Sequence, residues 1–305
     1  MKILVFTEKP FAPAAVKAIA DVINASGNEM ELVEHGTRAD LLQAVGNAHG
    51  LIVRSDVIDE EVMNAAPELK VIVRAGAGYD NIDLEAATKH KICVMNTPGQ
   101  NSNAVAELVF GMAVMMCRNR YNGTSGSELK GKSLGIYAFG QVGRNVARIA
   151  KGFGMKVQAL DVFVPDSVME AEGVVPVHDV SDLFSQNDFV SLHIPATPQT
   201  KGSIGYDLVM KMPKNGVLIN TARKEVIDEV GLMKALEERP DLRYVSDIKP
   251  AMAEEFEKRF SPRVFFTPKK MGAQTAEANF NAGVAAAEQV IAYLKEGWNK
   301  YQVNK

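Results

Sequence analysis

Leu134-Gly135-Ile136-Tyr137-Ala138-Phe139-Gly140-Gln141-Val142-Gly143 reads as a buried strand entering a tight turn that opens directly into a helix. A dinucleotide-binding loop needs glycine at three points here: where the backbone turns, where it approaches a pyrophosphate, and where helix packs on strand. Gly140 and Gly143 fill the second and third, and Ala138 stands at the first. Alanine fits such a turn if its φ stays negative, so the expected loop has slightly altered geometry. Amides near Gln141 and Val142 then face the pyrophosphate at the helix N-terminus. Roughly 20 residues further on, Asp161 ends the next strand. A carboxylate there accepts hydrogen bonds from both ribose hydroxyls and repels a 2′-phosphate. Val162 and Phe163 follow, with no arginine to receive such a phosphate, so NAD is expected over NADP. The alternative is an ordinary strand–turn–helix with a surface aspartate.

Outward from this loop, short apolar runs alternate with helical patterns along the whole chain. Ile3–Thr7, Glu31–Glu34, Leu51–Arg54, Val71–Arg74 and Ile92–Met95 form a first set of expected strands. Ser133–Phe139, Lys156–Asp161, Val174–Val177, Phe189–His193, Val217–Asn220, Tyr244–Asp247 and Val264–Phe266 form a second. Most of the second set is apolar on both faces, as where helices cover both sides of a parallel sheet. The alternation predicts an α/β architecture of two doubly wound Rossmann-like domains with parallel sheets. The join falls near the turn-rich Asn96-Thr-Pro-Gly-Gln100, and a helix is expected from Ser102 or Asn103 to about Tyr121. That helix is apolar nearly all round, as for a core helix or a dimer contact. The last helix, from about Thr275 to Lys295, is able to return to the first domain. The expected domains are 1–99 plus 275–305, binding substrate, and 100–274, binding NAD.

The 305 residues are 47% hydrophobic and 23% charged, which excludes a disordered chain and suits about two domains. A net charge of −3 leaves no basic excess for nucleic acid or an anionic membrane, and neither is an expected partner. Cys93 and Cys117 lie in apolar runs with neither disulfide nor zinc spacing, so no metal is expected and a reducing compartment is. Glu8, Lys9 and Pro10 break the first apolar run too early for a signal peptide. Ala104–Cys117 carries Glu107 and falls short of the roughly 18 residues of a membrane span. The expected address is cytoplasmic.

Several polar residues close buried runs, where a parallel sheet presents ligand-binding groups. Arg223, in Asn220-Thr221-Ala222-Arg223, is placed to fork onto a carboxylate or polarise a carbonyl; a surface ion pair with Glu225 or Asp228 is the alternative. Asp247 points into the crevice or caps a turn before Pro250. His193 suits acid/base work or a structural hydrogen bond. No histidine follows it, so a proton transfer staged from the last third falls to Lys269 or Lys270. Arg54 and Arg74, at the ends of LIVRS and VIVRAGAG, with Gly76 and Gly78 exposing amides, suit a small anion bearing phosphate and carboxylate.

Together, GLIVRS, VRAGAGYDNID, NTPGQNS, LGIYAFGQVG, Asp161, SLHIPATPQT, NTAR, VSD and TP…MGAQT resemble the D-isomer-specific 2-hydroxyacid dehydrogenases, in the right order over nearly the whole chain. The resemblance implies substrate in a cleft between two domains, a closing hinge and a homodimer formed through the cofactor domain. It implies NAD contacts from Ala138, Gly140, Gln141, Val142, Gly143, Asp161, His193, Thr197, Thr221, Ala222 and Asp247, the last on the nicotinamide carboxamide. It implies substrate contacts from Arg54, Ser55, Arg74, Gly76 and Asn101, and catalysis by Arg223. The chain departs from the family pattern at Ala138 and at two further places. Glu254 and Glu255 come too late after Asp247 to match the family's catalytic glutamate. Where the family has histidine after Thr-Pro, this chain has Lys269 and Lys270, with one extra residue before Gly-Ala-Gln-Thr.

An ordinary lysine, with pKa near ~10.4, is mostly charged at pH 7. Burial and a cationic neighbour such as Arg223 would lower it, which predicts a depressed lysine or an alkaline optimum for oxidation. A reductase for unphosphorylated glyoxylate or hydroxypyruvate and a non-catalytic NAD-sensing scaffold are the competing readings. Longer relatives carry regulatory domains after the final helix, and none is expected here after Lys305.

Overall fold

The computed structural model describes residues 1–304. It is α/β, with two parallel sheets, as the alternating pattern predicts. Chain contacts divide it into two compact units, Ser102–Ala273 and Met1–Asn101 joined by the residues from Gln274 onward.

In the first unit, β1 (Lys2–Thr7), β2 (Glu29–Glu34), β3 (Gly50–Val53), β4 (Val71–Arg74) and β5 (Cys93–Asn96) are ordered β2-β1-β3-β4-β5. The strand order reverses between β1 and β3, which makes that crevice the unit's switch point. β3 is buried along its length because helices cover both faces. The helix Ala276–Glu296 packs on the helix Pro13–Ala25. Gly283 makes this approach possible, since a Cβ there would lie 2.8 Å from Ile19 Cδ1.

In the second unit, β6 (Ser133–Tyr137), β7 (Lys156–Leu160), β8 (Val175–Pro176), β9 (Phe189–Leu192), β10 (Val217–Asn220), β11 (Arg243–Ser246) and β12 (Val264–Phe266) are ordered β12-β11-β10-β9-β6-β7-β8. The switch point lies between β6 and β9. The apolar helix Ser102–Cys117 buries Val109, Phe110, Met112 and Met116 in this core, and Phe110 stacks on Phe153 at 5.1 Å. It stops at Cys117 rather than near Tyr121. Asn119, Arg120 and Tyr121 take φ of 50°, 56° and 58°, a left-handed turn that ends the helix, and Arg243 Nη1 donates to the Met116 carbonyl at 2.5 Å. A cation there also complements the helix dipole.

Candidate active site

Parallel register brings the polar residues of the second unit into one row. Leu160, Tyr137, Leu192, Asn220, Ser246 and Phe266 are aligned across successive strand pairs. The next residue of each strand is Asp161, Ala138, His193, Thr221, Asp247 and Thr267. Each therefore leaves the sheet at the same level on its C-terminal edge, flanking the switch point. Asp161, His193 and Asp247 lie just past their strands rather than in them.

The glycine-rich turn corrects one expectation. Ala138 has φ of +80°, not a negative value. Its amide still donates to the Leu160 carbonyl at 2.8 Å, so the chain holds the turn that glycine favours and bears the strain of a Cβ. Gly143 shows why: a Cβ on it would sit 2.3 Å from the Ala138 carbonyl oxygen. Strand and helix meet too closely there for the turn to relax. Gly140 differs, because a Cβ on it would meet no protein atom within 4 Å. It caps the helix Gln141–Gly152 without a side-chain hydrogen bond. Open space beside first-turn amides suits a pyrophosphate.

Asp161 is busier than expected. Its Oδ2 accepts from Phe139 N at 2.7 Å, and its Oδ1 accepts from Phe163 N at 2.8 Å and Val164 N at 3.2 Å. A carboxylate has about four acceptor positions, so room remains for one ribose hydroxyl rather than two. Beside it, Val162 is 82% and Phe163 91% exposed.

His193 lies between two hydroxyls, with Ser191 Oγ 2.9 Å from Nε2 and Thr221 Oγ1 3.3 Å from Nδ1. Burial pushes its pKa down to about 3, so the ring is neutral and bonds through one N–H and one lone pair. This answers for structure rather than for acid/base work near neutrality. Asn220 shapes the next turn: Oδ1 accepts from Ala222 N at 2.9 Å, and Nδ2 donates to the Arg223 carbonyl at 2.9 Å. Arg223 Nη1 reaches the Ala222 carbonyl at 3.0 Å. The Thr197 amide donates to Thr200 Oγ1 at 2.8 Å, which folds the Pro195–Thr200 turn.

Asp247 and the lysines depart most from expectation. Asp247 is 1% exposed. Its Oδ1 accepts from Met271 N at 2.7 Å and Thr267 Oγ1 at 3.1 Å, and its Oδ2 from Gly272 N at 2.8 Å. The carboxylate expected on a carboxamide is engaged by its own chain. Lys269 and Lys270 lie between those anchors and are both exposed, so the burial expected to favour a neutral lysine is not found. The Glu229 carboxylate accepts from Ala251 N at 2.9 Å and Met252 N at 2.7 Å, and Glu255 pairs with Arg259 at 3.0 Å.

In the first unit, Arg54 leaves β3 at the switch point. Nη1 donates to the Lys9 and Pro10 carbonyls at 3.0 and 2.9 Å, Nη2 donates to Asn279 Oδ1 at 2.5 Å, and the guanidinium lies 5.1 Å from the Phe11 ring centre. These acceptors are neutral, and burial lowers the arginine's pKa. Arg74 Nε donates to the Arg54 carbonyl at 2.8 Å, and a Cβ on Gly76 would overlap Arg74 Nη1 at 1.6 Å. Gly76, at φ +152°, thus lets Arg74 fold over its own loop. Ser55 is exposed and Asn101 half-buried at the edge of the unit.

Residue patterns did not single out Ser191, Asn220, Thr267 or Gly272 as supports. Asn220 carried a usable sign, an Asx residue closing a strand before a turn. Gly272, directly after the lysine segment, marked a close approach. Ser191, on an otherwise apolar and wholly buried strand, carried none.

The sequence model for "D-isomer specific 2-hydroxyacid dehydrogenase, NAD binding domain" matches residues 104–268. The chain belongs to the D-isomer specific 2-hydroxyacid dehydrogenase family. It is similar to the crystal structure of NAD+-bound 3-phosphoglycerate dehydrogenase of Entamoeba histolytica, at 47% identity and TM-score 0.89, covering 100% of this chain and 99% of that one. D-3-phosphoglycerate dehydrogenase of Methanocaldococcus jannaschii is 36% identical over 97% of this chain and 58% of its own length. The chain thus spans little more than half of that curated relative. Hydroxypyruvate reductase of Thermotoga maritima is 34% identical over 87% of this chain and 92% of its own. Among the described residues, no helix is long and apolar enough to cross a membrane.

Proposed function

We propose that this protein oxidises 3-phospho-D-glycerate to 3-phosphohydroxypyruvate with NAD and catalyses the reverse reduction, the first step of phosphorylated serine biosynthesis. The carrying observation is the 47% identity, over 100% of this chain and 99% of the other, to the NAD+-bound Entamoeba enzyme. The open flank of Gly140 and the capless helix start fit a dinucleotide pyrophosphate, held by amides of Gln141, Val142 and Gly143. Asp161 takes one ribose hydroxyl, with Thr197, Thr221 and Ala222 lining the same sheet edge. Arg54 and Arg74 receive the substrate's phosphate and carboxylate, supported by Ser55, Gly76 and Asn101. The Arg54 guanidinium donates to neutral acceptors and keeps charge for an anion, with Asp56 as a nearby carboxylate.

Bound NAD supplies the hydride acceptor for C2. Arg223 orients the substrate and polarises its carbonyl. Lys269 or Lys270 takes the hydroxyl proton in oxidation once it has lost its own to solvent, which gives that direction an alkaline optimum, and returns it in reduction. An ammonium is already the acid that reduction needs, so reduction is the less pH-sensitive direction near neutrality. The lysine also accounts for the missing glutamate. Imidazole needs a partner to fix its tautomer, whereas an ammonium has three equivalent donors. A carboxylate beside it would hold its proton more tightly. We further propose a homodimer, as the family likeness implies, and a reducing cytoplasmic setting, which the two buried free cysteines support.

The test is an NADH absorbance assay with 3-phosphohydroxypyruvate, hydroxypyruvate and glyoxylate. We expect kcat/KM to favour the phosphorylated substrate by at least about tenfold, or 1.4 kcal/mol. Equal or better use of hydroxypyruvate supports the second reading, which the likeness to the Thermotoga reductase favours. NADH binding without turnover of any substrate supports a sensing scaffold. Among Lys269→Met and Lys270→Met, one variant should lose about 10²-fold or more in turnover; unchanged rates in both refute a lysine acid/base.

A further inference from the structure

Two loops flank the switch point of the first unit, and one carboxylate ties them together. Asp56 is buried; its Oδ1 accepts from Glu8 N at 2.8 Å and its Oδ2 from Arg54 N at 3.2 Å. Asn81 Nδ2 donates to the Asp56 carbonyl at 2.6 Å. The loop after β1 is thereby folded around the Arg54 side chain. Its Lys9 and Pro10 carbonyls accept from Nη1, and its Phe11 ring lies against the guanidinium. The buried Thr7 hydroxyl also donates to the Lys9 carbonyl, so the Lys9 backbone is fixed from two sides. Asn279 Oδ1 accepts from Nη2, and Asn279 Nδ2 is held in turn by the Thr275 carbonyl at 2.8 Å. A guanidinium has five N–H donors, so the Nε–H and one Nη2–H remain for an oxyanion. The Lys9 side chain is exposed, and among the described residues no carboxylate pairs with it. With its carbonyl oxygen 3.0 Å from Nη1, the Lys9 Cα lies within about 5.5 Å of that nitrogen, and a flexible four-carbon stem carries the ammonium from there.

We infer that Lys9 is the second cation of the Arg54 subsite and sets the preference for a phosphorylated substrate. The inference rests on the substrate reading proposed above, with the phosphate on Arg54. A phosphate ester carries about −1.5 to −2 charges at pH 7. Asp56 is the carboxylate whose charge acts on the Arg54 guanidinium, so that pair by itself is close to neutral. Its bonds to two backbone amides hold the carboxylate in place, and it does not swing away when an anion arrives. A dianion seated on two guanidinium N–H groups therefore needs positive charge from elsewhere. Arg74 Nε is engaged by the Arg54 carbonyl, and Arg74 is assigned to the substrate's carboxylate. Lys9 starts on the same loop that positions the guanidinium. Its ammonium serves a phosphate as a mobile point charge, while the arginine fork fixes the phosphate's direction. A hydroxyl in place of the phosphate needs no such charge, so Lys9 acts on discrimination rather than on the chemical step.

The test measures kcat/KM for 3-phosphohydroxypyruvate and for hydroxypyruvate in the unaltered protein, Lys9→Met, Lys9→Arg and Lys17→Met. Lys9→Met removes the ammonium but keeps the carbonyl that holds Arg54, and an exposed position accepts the change. Lys17→Met removes an equal charge from the helix Pro13–Ala25, where Lys17 pairs with Asp21. We expect the preference for the phosphorylated substrate to fall at least about tenfold in Lys9→Met, as for one lost charged contact, and through KM more than kcat. Lys9→Arg should restore most of that preference, and Lys17→Met should leave it unchanged. Calorimetric titration with 3-phospho-D-glycerate needs no turnover, and its affinity should also fall at least about tenfold in Lys9→Met. An unchanged preference in Lys9→Met overturns the inference, as does an equal loss in Lys17→Met. If the unaltered protein prefers hydroxypyruvate or reduces neither substrate, the proposed function fails, while the calorimetric comparison still decides Lys9. Weaker binding in Lys9→Met then upholds the inference, and equal affinity overturns it.

Discussion

Two glycines of the turn after β6 should answer differently to the same substitution. Gly143→Ala places a methyl group 2.3 Å from the Ala138 carbonyl oxygen and 3.1 Å from Ile136 Cγ2. The nearer contact is roughly 1 Å inside ordinary carbon–oxygen separation. Alanine gains about 1 kcal/mol of helix propensity over glycine. Overpacking against a backbone atom costs about 1–3 kcal/mol and more where nothing can yield. Ala138 is already strained at φ +80°, so the clash wins and Gly143→Ala should be less stable by about 2 kcal/mol or more. For a unit of this size that lowers the melting midpoint by roughly 4–8 °C. Gly140→Ala meets no protein atom and keeps an allowed φ of −76°. It loses only about 0.5–1 kcal/mol of N-cap preference. Its methyl group instead occupies the open flank of the turn, and NADH affinity should fall at least about tenfold. Thermal scans of the apo protein together with NADH fluorescence titrations separate the two effects. Wild-type NADH affinity in Gly140→Ala would show that no pyrophosphate lies against this turn. An unshifted midpoint in Gly143→Ala would refute the packing argument.

Ala138→Gly removes the Cβ from a left-handed φ, so it should stabilise the protein by about 0.5–1 kcal/mol despite glycine's greater unfolded entropy; a lower urea midpoint would contradict this. His193 provides a pH test. Its folded pKa is about 3 against 6.5 ordinarily. Between those values the unfolded chain binds a proton that the folded chain does not, so stability falls as pH drops from about 6.5 towards 3, by up to about 1.4 kcal/mol per unit. In His193→Gln that component should vanish from urea midpoints measured across this range, and an unchanged pH slope would place the sensitivity elsewhere.

Sequence alone determined the order of strands and helices, because a strand buried on both faces must be mostly apolar, and β3, β9 and β10 announce themselves that way. It also determined which polar residues end those strands, since Arg54, Asp161, His193, Arg223 and Asp247 each interrupt or follow an apolar run. Tertiary structure alone decided what those side chains touch. Asp161 and Asp247 look alike in sequence, each closing a strand, yet one clamps the Phe139 and Phe163 amides and the other the lysine loop. Ala138 looked like a residue that would keep φ negative, until the 2.3 Å approach at Gly143 left the turn no slack. The physical reason is common to all three. Burial pattern is a property of each segment by itself, written in its own side chains. Hydrogen-bond partners and close contacts are set by the register of separate strands, and no segment carries that information alone.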